Sequence, residues 1–392
     1  MSSSGSDDPV QLLKSLIACP SVTPDLAGVF EPLEAALIPL GFVVTRLRFD
    51  GDGSYPVDNL FAIRDRGGKR LLFAGHTDVV PPGETADWAS NPFVPRQADG
   101  RLYGRGAADM KSGVAAFVAA CARTIEAGEA ETGTIALAIT NDEEADAVNG
   151  TDKLMAWAKA EGHAFDFAIV GEPSSATTLG DSIKIGRRGS LSGAITVEGV
   201  QGHVAYPEKA NNPLPVLAAI ATALKADPID TGTEHFPASN LEVTTIDVGN
   251  PVSNVIPGKG TLRFNIRFND LWTPQTLKQW IGERIAAVDT RGCTIGFDVS
   301  GTPSRSFLSP LSGDVELLRA VIRAETGEDP TLSTGGGTSD ARFIAQYCPV
   351  VECGLVGTTM HKTNEYVAIG DVEGLTGIYA RFVARFLAGS RA

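Results

Sequence analysis

Histidine and cysteine are scarce in this chain, with five of each in 392 residues. The cysteines, Cys19, Cys121, Cys293, Cys348 and Cys353, form no Cys-x-x-Cys pair and are odd in number. Neither a disulfide framework nor a thiolate zinc site is therefore expected, and buried thiols in a reducing compartment are the simpler reading. No apolar run reaches the ~18 residues of a membrane span, so no membrane partner is expected. The opening residues Met1 to Pro9 are largely Ser, Gly and Asp without a basic, apolar signal pattern, and the expected location is the cytoplasm. Positive charge is in deficit: 33 Lys and Arg face 47 Asp and Glu, a formal net charge of −14. That balance opposes a broad phosphate-binding surface and argues against a nucleic-acid partner. An anionic substrate would have to be met by a local cluster of Arg. His-Glu-x-x-His, a Walker A loop and Gly-x-Ser-x-Gly are also absent, as are internal repeats and low-complexity tracts.

What is present is a globular composition, 43% hydrophobic and 20% charged, in a chain longer than one core usually serves, so two domains are expected. Hydrophobic period and Gly/Pro punctuation predict strands and helices in alternation over the first 180 or so residues. Helix Val29 to Leu40 stops at Gly41, strands follow at Val43 to Phe49 and Asn59 to Arg64, and the apolar run Leu71 to Ala74 leads into Gly75-His76. A helix from about Met110 to Ala127 precedes strand Thr134 to Thr140. Helix Asp152 to Ala160 precedes strand Phe167 to Val170. From Gly189 the order becomes strand Leu191 to Val200, helix Pro213 to Ala226, strands Asn240 to Val248 and Gly260 to Phe268, helix Pro274 to Val288 and strand Thr294 to Val299. This β-α-β-β-α-β order is the ferredoxin-like signature. The α/β pattern resumes after Pro303, with helix Val315 to Thr326, strand Val350 to Gly354 and helix Val372 to Leu387. A compact module is thus inserted into an α/β domain.

The chemistry-bearing residues recur at one kind of place. His76 lies in Gly75-His76-Thr77-Asp78 just past a buried strand. If the extended geometry continues, Asp78 at i+2 shares its side and can hold the second ring nitrogen. Asp109 follows Gly104-Arg105-Gly106-Ala107-Ala108 and opens a helix. A dinucleotide reading fails there, because Asp109 replaces the third small residue and no clear strand precedes the glycines; a metal bridge or a helix N-cap both remain open. Glu143-Glu144 is an adjacent acidic pair after an apolar strand, costly unless a cation or proton resolves it, although Asp142 and Asp146 also suit an acidic surface turn. Glu172 follows its strand in Gly171-Glu172-Pro173, and His361 lies beyond the strand ending near Gly354. His76, Glu143, Glu144, Glu172 and His361 all follow predicted strands, at the edge where open α/β sheets bind ligands. Two histidines and three carboxylates, with Glu143 to spare, suit a carboxylate-bridged two-metal centre with open positions.

The strings Gly75-His76-Thr77-Asp78-Val79-Val80-Pro81, Leu102 to Lys111, Asp142-Glu143-Glu144 and Gly171-Glu172-Pro173 resemble the M20 family of metallopeptidases and deacylases. Further strings, Gly186 to Ser190, Gly199 to Pro207, Ser253 to Pro257 and Gly336 to Asp340, extend the likeness from about Leu12 to Leu387. The resemblance implies a zinc-peptidase-like α/β/α catalytic domain (1–187 and 303–392) with an inserted α+β ferredoxin-like dimerisation or lid domain (188–302). It implies two zinc ions per subunit, replaceable by cobalt, with Asp109 bridging, His76 and Glu172 on one ion, and Glu144 and His361 on the other. Glu143 becomes the general base, Asp78 a catalytic-site partner of His76, and His203 a histidine that reaches across a homodimer to the reacting carbonyl. Arg187, Arg188, Tyr206, Asn254, Arg267, Gly337 and Thr338 are the implied contacts of a small substrate bearing several carboxylates. Relatives often carry Asn four residues before the final histidine; that place here is Gly357, so a side-chain contact is expected to be missing or replaced by a backbone NH.

The expected activity is hydrolysis of an amide in such a substrate. Within the family the rivals are other deacylases and peptidases. From another class, a non-catalytic metal-dependent binding protein would need the ligands but not Glu143.

Overall fold

A computed structural model describes residues 6–389; residues 1–5 and 390–392, the ends of the expected catalytic segments, lie outside the described residues. The chain divides into two compact units.

The first unit takes the chain up to Ile185, Ser309–Ser333 and Ser339 onward. Its sheet has eight strands in the order Val43–Gly51, Ser54–Arg66, Gly133–Thr140, Arg70–His76, Phe167–Val170, Val350–Glu352, Ser182–Lys184 and Thr331–Ser333. The central four, from Gly133–Thr140 to Val350–Glu352, run parallel. Every residue of Gly133–Thr140 is buried, which explains why it reads as a continuous apolar run rather than an alternating one. Helix Ser112–Glu126 is built largely of Ala and other small residues and packs beside helix Ile369–Ala388. Phe73 stacks on Phe117 with ring centroids 4.2 Å apart, and Tyr379 meets both edge-on, joining sheet and helices in one core. An N-terminal helix, Pro9–Ile17, was not anticipated, although its start is written in the sequence. Asp8 caps it by accepting from the amides of Val10 and Gln11, and Pro9 occupies the first turn.

The second unit holds Gly186–Leu308 with Thr334–Thr338. Its antiparallel sheet has the order Asn240–Asp247, Lys259–Phe268, Gly189–Glu198, Thr294–Ser304, with helices Leu214–Lys225 and Pro274–Ala286. This is the ferredoxin-like arrangement the element order predicts. Burial alternates along Gly189–Glu198, so Leu191, Ile195 and Val197 enter a core with Leu217, Ile220, Phe264 and Ile281. The limits differ from 188–302 because the chain pairs with itself on leaving: Phe307 and Leu308 lie opposite Arg187 and Gly186. The added segment is tied by Arg187 Nη1, which donates to Gly335 O at 3.2 Å, and by the Thr334 hydroxyl, which donates to His235 O. Among the described residues no helix is long and apolar enough to cross a membrane.

Candidate metal centre

Parallel strands deliver the candidate ligands side by side. His76 ends Arg70–His76, whose neighbours Gly133–Thr140 and Phe167–Val170 lead into Glu143-Glu144 and Glu172. Asp109 enters from an irregular turn, Ala107–Lys111, with non-helical backbone at Asp109 (φ −124°, ψ 103°). Gly106 and Lys111, not Asp109, hold the N-cap positions of this turn and of the helix after it, so the N-cap alternative is set aside. A short strand, Arg101–Tyr103, does precede the glycines, contrary to expectation, but it pairs antiparallel in a separate three-stranded sheet. The dinucleotide reading therefore still fails.

The five expected ligands form two groups sharing Asp109. His76 Nε2 lies 3.3 Å from Asp109 Oδ1 and 3.5 Å from Glu172 Oε1. His361 Nε2 lies 3.2 Å from Asp109 Oδ2 and 3.1 Å from Glu144 Oε1. One oxygen of Asp109 thus faces each group, the disposition of a bridging carboxylate. His361 itself holds a left-handed backbone (φ +60°), uncommon for a residue with a side chain.

Asp78 meets the second ring nitrogen of His76, mainly through its main chain. His76 Nδ1 contacts the backbone carbonyl of Asp78 at 2.9 Å, while its carboxylate is 3.6 Å away. That carboxylate is engaged elsewhere: it accepts from the Thr23 hydroxyl at 2.7 Å and from the amides of Glu143 and Glu144, the nearest contact to each 3.1 Å. Asp78 therefore orients His76 through its main chain and the acidic pair through its side chain.

Crowding shows in the acid–base balance. Burial, then the neighbouring Glu172 carboxylate, raises the pKa of Glu143 well above its ordinary value. Burial, then Asp109, pushes Glu172 up to about 7. Burial opposes charge on His76, yet hydrogen bonds to Asp109 and Glu172 raise its pKa well above the usual imidazole value. The hydrogen bonds to Asp109 and Glu144 push His361 up to about 10.

In the second unit, Gly202 and His203 ladder with Ile256 and Val255, and the Val204 amide donates to Asn254 O at 3.1 Å. His203, Tyr206 and Asn254 are thereby brought together, the two rings 5.7 Å apart. His203 is exposed, and its Nδ1 accepts from the Ala205 amide at 3.0 Å. A neutral ring so held carries its proton on Nε2. Arg187 is buried with the Gly335 carbonyl on its guanidinium, and a Cβ at Gly336 (φ +104°) would stand 2.3 Å from Arg187 Nη1. The segment carrying Gly337 and Thr338 thus wraps Arg187. Arg188 donates to Asn240 Oδ1 at 2.9 Å, and Asn240 lies opposite Arg267 in the sheet.

The sequence matches the peptidase family M20/M25/M40 over residues 72–385. The chain belongs to this family. Curated relatives named succinyl-diaminopimelate desuccinylase, from Methylorubrum populi and Methylorubrum extorquens, are each 52% identical. They align over 96% and 95% of this chain and 98% and 97% of their own length. An M20 metallo-carboxypeptidase from Sulfolobus solfataricus superposes with a TM-score of 0.77 at 16% identity, covering 97% of this chain and 99% of that one, a likeness of fold alone.

Within this M20 chain, the sequence reading passed over four buried charges near the ligands: Arg105, Lys111, Asp340 and Glu365. Lys111 Nζ donates to Leu16 O and Cys19 O, both at 2.9 Å, which anchors the N-terminal helix to the Asp109 turn. Burial pushes its amine down to about 7. Their sequence signal was charge inside otherwise small or apolar strings, which spacing alone does not distinguish from surface charge. Gly357 packs 3.0 Å from Pro173 by the position a Cβ would take, and its amide donates to Ser175 O at 3.3 Å. That amide is engaged within the chain.

Proposed function

We propose that the protein hydrolyses N-succinyl-LL-2,6-diaminopimelate to succinate and LL-2,6-diaminopimelate. The observation that carries this reading is 52% identity over nearly the full length to relatives named for that activity, in a chain that retains both ligand groups and the spare Glu143. The donor set fits two divalent ions: imidazole nitrogens and carboxylates suit zinc, with cobalt an acceptable substitute. His76, Asp109 and Glu172 would hold one, and Asp109, Glu144 and His361 the other. When bound, such a pair supplies Lewis-acid charge to the amide carbonyl and acidifies water at neutral pH.

The chain's own residues do the rest. Ionised Glu143 takes a proton from the attacking water as the new C–O bond forms. It then returns that proton to the amide nitrogen, so the C–N bond breaks with a neutral amine leaving. Asp78 keeps Glu143 in place by holding its amide. His203 of a partner subunit donates Nε2–H to the developing oxyanion, and the inserted unit serves as the dimerisation surface. Arg187, Arg188 and Arg267 hold substrate carboxylates by charge-assisted hydrogen bonds, with Tyr206, Asn254, Gly337 and Thr338 completing the polar contacts. The test is steady-state turnover on succinyl-diaminopimelate beside acetylornithine, after metal analysis. A clear preference for acetylornithine would move the assignment to another deacylase of the family, and no turnover on a substrate panel would favour a binding protein.

A further inference from the structure

Two candidate ligands, Asp109 and His361, come from distant parts of the sequence, and one buried carboxylate joins their segments. Glu365 is 1% exposed. Its Oε2 accepts from Arg105 Nη1 at 2.7 Å and the Gly106 amide at 3.0 Å. Its Oε1 accepts from the Ala108 amide at 2.7 Å and the Asp109 amide at 3.1 Å. Three of these four donors are the backbone of the turn that presents Asp109. Glu365 also lies in the loop that carries His361, which Thr359 and Tyr366 close. The Thr359 hydroxyl donates to Tyr366 O at 2.7 Å and accepts from the Tyr366 amide at 3.2 Å. Beyond it, Tyr366–Ala368 ladders with Arg101–Tyr103, and the Gly104 amide donates to Glu365 O at 3.0 Å.

A carboxylate is required for this arrangement. Four donors need acceptor capacity on two oxygens, and an amide side chain offers only one. Arg105, itself buried, balances the charge.

We propose that Glu365 is a positioning residue that fixes Asp109 relative to His361, so that the ligands stand in place before a metal arrives. It works through the main chain of the Asp109 turn. The proposal rests on the metal-centre reading above, and its test separates the two.

The experiment measures amide hydrogen exchange in the metal-free full-length protein, together with zinc affinity by competition with a chromophoric chelator. In the metal-free wild type, the peptide covering Gly104 to Asp109 should already be protected. Glu365→Gln keeps the shape but turns an NH2 toward two donors; it should lose that protection and bind zinc roughly 10- to 100-fold more weakly, the usual effect of removing a partner that orients metal ligands. Glu365→Asp, which keeps charge and both oxygens, should fall between. A merely structural role would lower the melting temperature without changing zinc affinity in the folded variant. The proposal is overturned if the wild-type segment exchanges like an unstructured peptide until zinc is added, a result that decides even where a variant fails to fold. It is also overturned if folded Glu365→Gln binds zinc as the wild type does. A wild-type protein that takes up no zinc overturns the metal-centre reading and this proposal with it.

Discussion

Adjacent glutamates with opposite duties give the sharpest test of the candidate centre. Glu144 faces His361 and Asp109, whereas Glu143 belongs to neither ligand group. Glu143→Gln should therefore keep both metals and lose roughly 10²- to 10⁴-fold in kcat, the range for a positioned general base. Glu144→Ala should instead weaken one metal. A titration showing the reverse would exchange their assignments. Protonation adds a second check. His361 is pushed up to about 10 in the metal-free protein, so at neutral pH its ring is charged and must lose a proton to ligate. Proton and metal compete, and zinc affinity should rise as pH climbs from 7 toward about 10. Calorimetry in buffers of different ionisation enthalpy should report proton release on binding; buffer-independent heats would contradict this.

The helix that follows the Asp109 turn approaches the Glu172 loop so closely that a methyl group has no room. A Cβ at Gly113 would lie 2.3 Å from the carbonyl oxygen of Gly171, immediately before Glu172. Gly113→Ala should then cost about 1–3 kcal/mol in denaturant unfolding, the usual range for overpacking, and weaken metal at the His76 and Glu172 group. Unchanged unfolding and zinc affinity would show that the helix shifts at no cost. Contacts of this kind explain what was readable beforehand. Strands Phe167–Val170 and Gly133–Thr140 were legible because burial on both faces writes an uninterrupted apolar run, and the common position of His76, Glu144 and Glu172 followed from where those runs stop. The hydrogen-bonding role of the Asp78 carboxylate was not legible, since its partners Thr23, Glu143 and Glu144 are set by folding rather than spacing. Thr334–Thr338 joined the inserted unit for the same reason, through contacts with Arg187 and His235.

Metal dependence belongs to the assembled protein, because the proposed ligands come from five separate chain segments and none makes a site alone. A chelator should abolish activity and zinc or cobalt should restore it; full activity in a preparation proven metal-free would remove the two-metal reading. The proposed homodimer can be tested by function as well as by mass. His203 is exposed in the inserted unit and its Nδ1 is already satisfied by the Ala205 amide, which leaves Nε2 as the donor of a neutral ring. If that donor stabilises the oxyanion at the partner's metals, His203→Ala should cost on the order of 10²- to 10³-fold in kcat and leave metal content intact. Subunits bearing His203→Ala retain Glu143, and subunits bearing Glu143→Gln retain His203. In a mixed dimer, one site combines an intact base with an intact donor from the opposite subunit, and the other site lacks both. Mixing the two inactive proteins under conditions where subunits exchange should therefore raise activity toward half the wild-type value per heterodimer. Heterodimers verified by mass that stay as inactive as both parents would show that His203 does not act across the interface.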